Sequence, residues 1–360
     1  MKIIHCADLH LDSKMETHLD EKFAAKRRFE LLMTFRKMID YAVEKGVEAV
    51  IIAGDLFDKK TVSKEAKNTV RDAILNNPSI EFYYLRGNHD AAEVFKEAQS
   101  PSNLHTFGDE WTHYSLNGVD IWGCERADAG PDGLSLNRDA VNIVVLHGQA
   151  QEYRNNRDKE CIALSEYRNL GIDYMALGHI HEYTVSRLDA RGIFCYSGCL
   201  EGRGFDECGE HGFSLIEIDV RNHKIDNSFE NISQRTLYEV SVDVGDCMDD
   251  VQVVDVVRDE LSEASIDSKN MVKIILTGSR AVDAPKITID GVCESFAGDY
   301  FFIKVKDETK VFVDYNSFAN DKSLRGEFVR KVLDRDDISE DDKSEIIRLG
   351  ISALAGEDVK

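Results

Sequence analysis

The run VEAVIIAGD, residues 47–55, decides the fold. Its first seven positions are apolar but for Glu48, which predicts a strand over 47–53 with both faces covered. Gly54 lets the chain turn. Asp55 then stands at the carboxyl end of the strand, where ligand sites of open α/β sheets gather. Outward from this run the same pattern recurs. β-like runs rich in Val, Ile, Tyr and Phe fall at 2–6, 80–85, 119–123, 142–146, 174–177, 193–196 and 213–218, bounded by Gly, Asp or Asn. Helical spacing falls at 21–45, 63–76 and 160–169. The expectation is an α/β domain over residues 1–233, with a central β-layer and helices outside.

A second, smaller α/β domain is expected over 234–315. Residues 236–244 and 271–277 read as strands, 248–264 as an amphipathic helix, and 301–306 with 309–313 as a short hairpin pair. Residues 316–360 read as a charged helical tail, wholly polar at 339–343 and amphipathic at 346–354. In the tail, Ile346, Ile347, Leu349, Ile351 and Leu354 have a spacing suited either to docking on a partner or to packing on their own domain.

Of the 360 residues 42% are hydrophobic, enough for a sizeable core. No run approaches the ~20 apolar residues of a membrane span. The opening MKIIHCADLHLD has His and Asp where a signal peptide needs an apolar stretch, which points to a cytoplasmic protein. The eight Cys show no paired spacing and read as reduced, mostly buried residues, Cys195, Cys199 and Cys208 included. The formal net charge of −23 opposes nucleic-acid binding by this chain alone, because phosphate neutralisation needs cations. Bound metal ions or a basic partner would have to supply them.

Short segments after successive strands carry metal-ligand side chains: Asp8-Leu9-His10, Gly54-Asp55, Gly87-Asn88-His89-Asp90, His147-Gly148 and Gly178-His179-Ile180-His181. In extended backbone, residues two apart point to one side, so Asp8 with His10, and His179 with His181, are each expected to grip one ion. Asn88 and His89 are adjacent and point apart, so one can bind metal while the other faces substrate. The candidate ligands are Asp8, His10, Asp55, Asn88, His147, His179 and His181. That mixed nitrogen and oxygen set exceeds one tetrahedral zinc and suits two ions bridged by Asp55. It contains no thiolate. Mn²⁺, Fe²⁺ and Zn²⁺ all fit, and the oxygen share favours Mn²⁺.

The series ADLHLD, GDLFDKK, LRGNHD, HG, ALGHIHEY and YSGCLEGRGFDE resembles the calcineurin-like metallophosphoesterases over roughly residues 1–220, and within them the SbcD-type DNA exonuclease subunits and their YhaO-type relatives. The resemblance implies a metallophosphoesterase α/β/β/α sandwich and a two-metal site that hydrolyses DNA phosphodiesters. It implies that His89 contacts the phosphate and protonates the leaving alkoxide, with Asp90 either orienting its surroundings or merely capping a turn. It further implies a capping domain that selects duplex ends, an SbcC-type coiled-coil ATPase partner in a DNA-repair complex, and a homodimer. One departure stands out: some nuclease members carry His where this chain has Asp58.

Two other readings use the same residues. A phosphatase or small-molecule or cyclic-nucleotide phosphodiesterase would suit the acidic surface. An assembly subunit without chemistry is opposed by the complete ligand set. His5 reads as a core histidine, and His105, His113, His211 and His223 lack ligand-like partners. Arg86, Asp12 and Arg203 are possible cleft residues or ordinary strand-end and loop groups. Arg27-Arg28 and Lys59-Lys60 are small basic islands that either follow a DNA backbone or are solvated surface.

Overall fold

A computed structural model describes residues 1–15, 19, 21–58, 62–90, 101–155, 157–281, 284–312 and 321–355. The chain divides into two compact units, Met1–Thr236 and Leu237–Lys360. The first holds strands β1 (Lys2–Cys6), β2 (Ala49–Ala53), β3 (Glu81–Leu85), β4 (Leu104–Thr106), β5 (Thr112–Leu116), β6 (Val119–Gly123), β7 (Val141–His147), β8 (Gln149–Gln151), β9 (Cys161–Ala163), β10 (Tyr174–Gly178), β11 (Thr184–Arg187), β12 (Ile193–Tyr196), β13 (Gly212–Asp219) and β14 (Lys224–Asn231). Its helices are α1 (Glu21–Lys45), α2 (Lys64–Leu75) and the single turn α3 (Leu164–Tyr167).

Two six-stranded sheets form, in the orders β14-β13-β1-β2-β3-β4 and β11-β12-β10-β7-β6-β5. Alternation along each strand sorts side chains to two faces. Ile3, Ala49, Ile51, Tyr83 and Leu85 face Ile121, Ile143, Val145, Tyr174 and Ala176 across the middle of the sandwich. Ile4, Val50, Ile52 and Phe82 face the other way, under Leu31, Phe35 and Met38 of α1 and Val70 and Ile74 of α2. This is why residues 47–53 lack the polar alternation of a solvated strand. On the far side, Val144, Leu146, Met175 and Leu177 are covered by Leu164 and Tyr167. The architecture is the expected layered α/β sandwich, its outermost layer thin. β1, β2, β3 and β4 run parallel, as do β6, β7, β10 and β12. The carboxyl ends of β1, β2 and β3, and those of β7 and β10, therefore gather at common edges.

Two expectations are overturned. The helix expected at 160–169 is a strand followed by one turn: β9 pairs in parallel with β8, and Cys161, Ile162 and Ala163 are all buried. Apolar spacing there serves burial under the outer face of the second sheet. The hairpin expected at 301–306 and 309–313 is also absent. In the second unit β15 (Leu237–Asp243), β16 (Met271–Thr277) and β18 (Phe302–Asp307) form a parallel sheet, while β17 (Ser279–Ala281) pairs in parallel with β19 (Lys310–Phe312). The chain steps from one sheet to the next after β16 and again after β18, so no reversal occurs. Val313 lies outside the described residues. Gly278, at φ +102, makes one of these steps with no room for a Cβ beside Asp243.

Helices α4 (Asp250–Glu263) and α5 (Ile289–Glu294) cover the small sheet through Val253, Val257, Leu261 and Val292. In the tail, α6 (Leu324–Leu333) and α7 (Glu340–Ala355) pack Val329 and Val332 against Ile347 and Ile351. Ile346 and Leu354 stay exposed. No helix among the described residues is long and apolar enough to cross a membrane.

Candidate metal centre

The gathered strand ends bring most of the expected ligands together, as parallel strands ending at one edge predict, but the backbone there is not extended. Asp8, His10, Asp55 and His179 have φ of 52°, 43°, 51° and 102°. They lie on tight left-handed turns, so the extended-backbone argument for Asp8–His10 and His179–His181 is wrong. The turn after β1 is tied to the one after β2 by Asp8 N–H to Gly54 O at 3.0 Å and His10 N–H to Asp55 O at 2.9 Å. Both oxygens of Asp8 accept the amide of His179, at 3.0 and 2.9 Å. His181 turns toward Asp8 and His10, whereas the His179 ring stands edge-on to His147 at 5.5 Å. The two histidines of GHIH thus separate instead of sharing a position. Gly54 and Gly87 leave no room for a Cβ beside His147 and Asp55 respectively.

Tautomers follow from the partners. His147 Nδ1 faces the Ala53 carbonyl at 2.9 Å, His181 Nδ1 the Glu207 carboxylate at 2.6 Å, and His10 Nδ1 the Asp58 carboxylate at 3.2 Å. Those partners only accept, so each Nδ1 carries a proton and Nε2, the nitrogen turned inward, is the one left to meet an ion. His10 Nε2 and His181 Nε2 then lie 3.3 Å apart, with Asp55 Oδ2 3.7 Å from the first and Asp8 Oδ1 3.9 Å from the second. On the other side, His147 Nε2 is 3.4 Å from Asp55 Oδ2 and 3.1 Å from Asn88 Oδ1. Lone pairs converge on lone pairs at two adjacent places that share Asp55. That arrangement is repulsive unless positive charge stands among the atoms, so the donor set fits two divalent cations.

The titration behaviour points the same way. Burial pushes the Asp8 carboxyl up to about 6, against the pull of His147 and His181. Burial also disfavours charge on Asp55, but the His147 hydrogen bond and charge outweigh it and bring Asp55 down to about 2. His147 is buried too, yet Asp55 and Asp8 lift it to about 9. A proton shared at His147 thus offsets some of the negative charge that a cation would neutralise.

His89 stands half exposed above the cluster. Its amide donates to Asp55 Oδ1 at 2.9 Å, and its Nδ1 lies 3.1 Å from Asp58 Oδ1. Asp58 therefore touches both His10 and His89, a role that the motif GDLFD hides because the side chain meets its partners only after folding. Asp90 is a loop staple: its carboxylate accepts the amides of Leu56, Phe57 and Gly87. The Gly87 contact caps the turn, and those to Leu56 and Phe57 hold it against the loop after β2, so both expected roles are met by one carboxylate. Arg203 does reach the cluster, its Nη2 lying 3.0 Å from His181 Nδ1, and Glu207, given no role in the sequence reading, binds both.

The remaining candidates are not at the cluster. Arg86 is paired with Glu125, and Asp12 accepts the Ser63 amide at 2.8 Å. His5 is a core residue 3.0 Å from Tyr174 Oη. Arg27 is buried against Glu30 and Glu201. The cysteines are free, and no cysteine joins the metal-type clusters of the described residues. Lys59-Lys60 lies outside the described residues.

A family model described as calcineurin-like phosphoesterase matches residues 1–183. The uncharacterized metallophosphoesterase YhaO of Bacillus subtilis strain 168 is 28% identical over 82% of this chain and 77% of its own length. The DNA double-strand break repair protein Mre11 of Saccharolobus solfataricus is 22% identical over 97% of this chain and 94% of its own. Mre11 of Sulfolobus acidocaldarius is 24% identical over 68% of this chain and 67% of its own.

Proposed function

This chain belongs to the calcineurin-like phosphoesterase family, and we propose that it hydrolyses DNA phosphodiesters with two divalent ions as the nuclease subunit of an SbcCD-like assembly. The observation that carries the reading is the convergence of inward-turned Nε2 atoms and carboxylate oxygens on two places sharing Asp55. Asp8, His10, Asp55 and His181 would hold one ion; Asp55, Asn88, His147 and His179 would hold the other. Mn²⁺ suits this set, with Fe²⁺ and Zn²⁺ as alternatives. The chemistry such ions supply when bound is acidification of a water and neutralisation of charge on the phosphoryl oxygens.

The chain's own groups do the rest. With its Nδ1–H held by Asp58, a doubly protonated His89 would turn Nε2–H to the phosphate and give that proton to the departing oxygen, the ring returning to neutral. Asp90 fixes the 87–90 turn that carries Asn88 and His89. DNA as substrate is supported by the likeness to proteins named for double-strand break repair. With a net charge of −23, bound cations or a basic partner would neutralise the DNA phosphates, and the partner in this reading is an ATPase of the SbcC class. In this reading residues 234–315 select duplex ends, the 316–360 tail docks on that partner, and two copies pair.

The acidic charge favours a second reading, a phosphatase or small phosphodiesterase using the same groups. Rates on linear duplex DNA, cyclic nucleotides and phosphomonoesters, each with Mn²⁺ and with the partner present, separate the two. Turnover of monoesters alone overturns the nuclease assignment.

A further inference from the structure

The loop following β12 is tied into the protein by buried charge. Glu201 accepts from Arg27 at 2.9 Å, from Thr34 Oγ1 at 2.6 Å and from the Gln234 amide at 2.5 Å. Arg27 also donates to the Gly202 carbonyl at 2.8 Å, and it is 1% exposed. Gly202 lies too close to the Glu207 carbonyl and to His211 to carry a Cβ. The His211 ring Nε2 lies 2.9 Å from that same carbonyl. Removing a partner from such a buried ionic network strands a charge, so the loop has little freedom to drift.

On this fixed loop sit Glu207 and Arg203. Glu207 Oε1 accepts from His181 Nδ1 at 2.6 Å and from Arg203 Nη2 at 2.8 Å; Oε2 accepts the Arg203 backbone amide at 2.7 Å. The 3.0 Å between Arg203 Nη2 and His181 Nδ1 is the separation of two donors meeting on one oxygen. Glu207 is thus occupied by donors and faces the back of His181, away from Nε2. The two ion positions differ in this respect. His10 and His181 are each backed by a carboxylate within hydrogen-bond reach, Asp58 at 3.2 Å and Glu207 at 2.6 Å, whereas His147 is backed by the neutral Ala53 carbonyl and the carboxylate near His179, that of Glu160, stands off at 3.9 Å. A carboxylate behind an imidazole fixes its orientation and raises the basicity of the ligating nitrogen.

We propose that Glu207 and Arg203 are positioning residues that set the ion affinity of the place formed by Asp8, His10 and His181, and leave the His147 place untouched. The inference rests on the two-ion reading above. The test is calorimetric titration of the ion-free full chain with Mn²⁺, where Glu207→Gln weakens one of two equivalents by about 10–100-fold and shifts the other by no more than about threefold. Glu207→Asp restores part of the loss. Arg203→Met, which leaves the Glu207–His181 contact without its second donor, weakens the same equivalent to a smaller degree and serves if Glu207→Gln does not fold. Two unchanged equivalents in either variant overturn the inference, and so does a loss shared equally by both. Wild-type protein that takes up no Mn²⁺ overturns the two-ion reading itself, which is a different outcome.

Discussion

His10 Nε2 and His181 Nε2 face each other at 3.3 Å, from residues 171 positions apart in the chain, with each Nδ1 turned to a carboxylate. With both Nδ1 positions protonated, the inner nitrogens are relieved of their repulsion only by a positive charge between them, either a proton that turns one ring into an imidazolium or a metal ion. The pair is therefore a measure of how firmly the fold imposes an arrangement of like groups, and Asp55 is the residue that joins it to the His147 side.

Asp55→Asn should abolish tight binding at both places together, because the one carboxylate reaches His10 at 3.7 Å and His147 at 3.4 Å. Metal content after Mn²⁺ loading and desalting measures it. Two ions retained with wild-type affinity would falsify the bridging assignment.

His89→Gln should keep both ions and lower phosphodiester turnover by roughly 10²–10⁴-fold, the range for removal of a general acid. Its backbone amide holds Asp55, a contact that Gln retains, and its ring meets Asp58 at the rim of the cluster without belonging to either of the two places that share Asp55. Asp58→Asn should do more, because Asp58 also backs His10: lower turnover with weaker ion binding. Steady-state rates paired with metal analysis distinguish the variants, and near-normal turnover in His89→Gln removes His89 from the reaction.

His5 makes stability depend on pH. Burial lowers its pKa from 6.5 to about 3. Between those values the unfolded chain binds a proton that the folded chain refuses, so this contribution is full above pH 6.5 and is lost as pH falls toward 3. The loss amounts to about 2 kcal/mol by pH 5. His5→Gln should flatten the stability profile between pH 7 and 5, as read by denaturant unfolding at each pH. A parallel profile in the variant shows that other groups control acid sensitivity.

Ile347 is fully buried in the tail core, and its neighbour Ile346 is 37% exposed. Ile347→Ala should destabilise that core by about 2–4 kcal/mol, the usual cost of a large-to-small core change. Ile346→Ala should stay within about 0.5 kcal/mol. Equal effects on unfolding would contradict the packing of α6 against α7.

How far the sequence could be read depends on the range of the interaction. Residues 47–53 announce their two covered faces because both neighbours are apolar layers, and the strand-end Asp, Asn and His residues announce a common site because parallel strands end together. β14, with KIDNSFEN, was not legible: it is an edge strand paired on one side to β13 and polar enough to look like loop. Glu207 closes the quoted motif YSGCLEGRGFDE, but its role was not legible, because it shows only when His181, 26 positions away, is beside it. The pairing of His179 with His181 was misjudged for a local reason, whereas Asp8 and His10 do come together, though not through extended backbone. Spacing of two implies a common side only in extended backbone, and Asp8, His10 and His179 lie at positive φ.

Asp8, His10, Asp55 and His179 hold left-handed backbone with side chains that disfavour it, each at a cost of about 1 kcal/mol or more. Glycine would relieve that cost at every one of the four while deleting a donor. Variants recovered from a library by heat survival alone should therefore drift toward glycine at these positions, and enduring more heat would come with a lost capacity to bind ions.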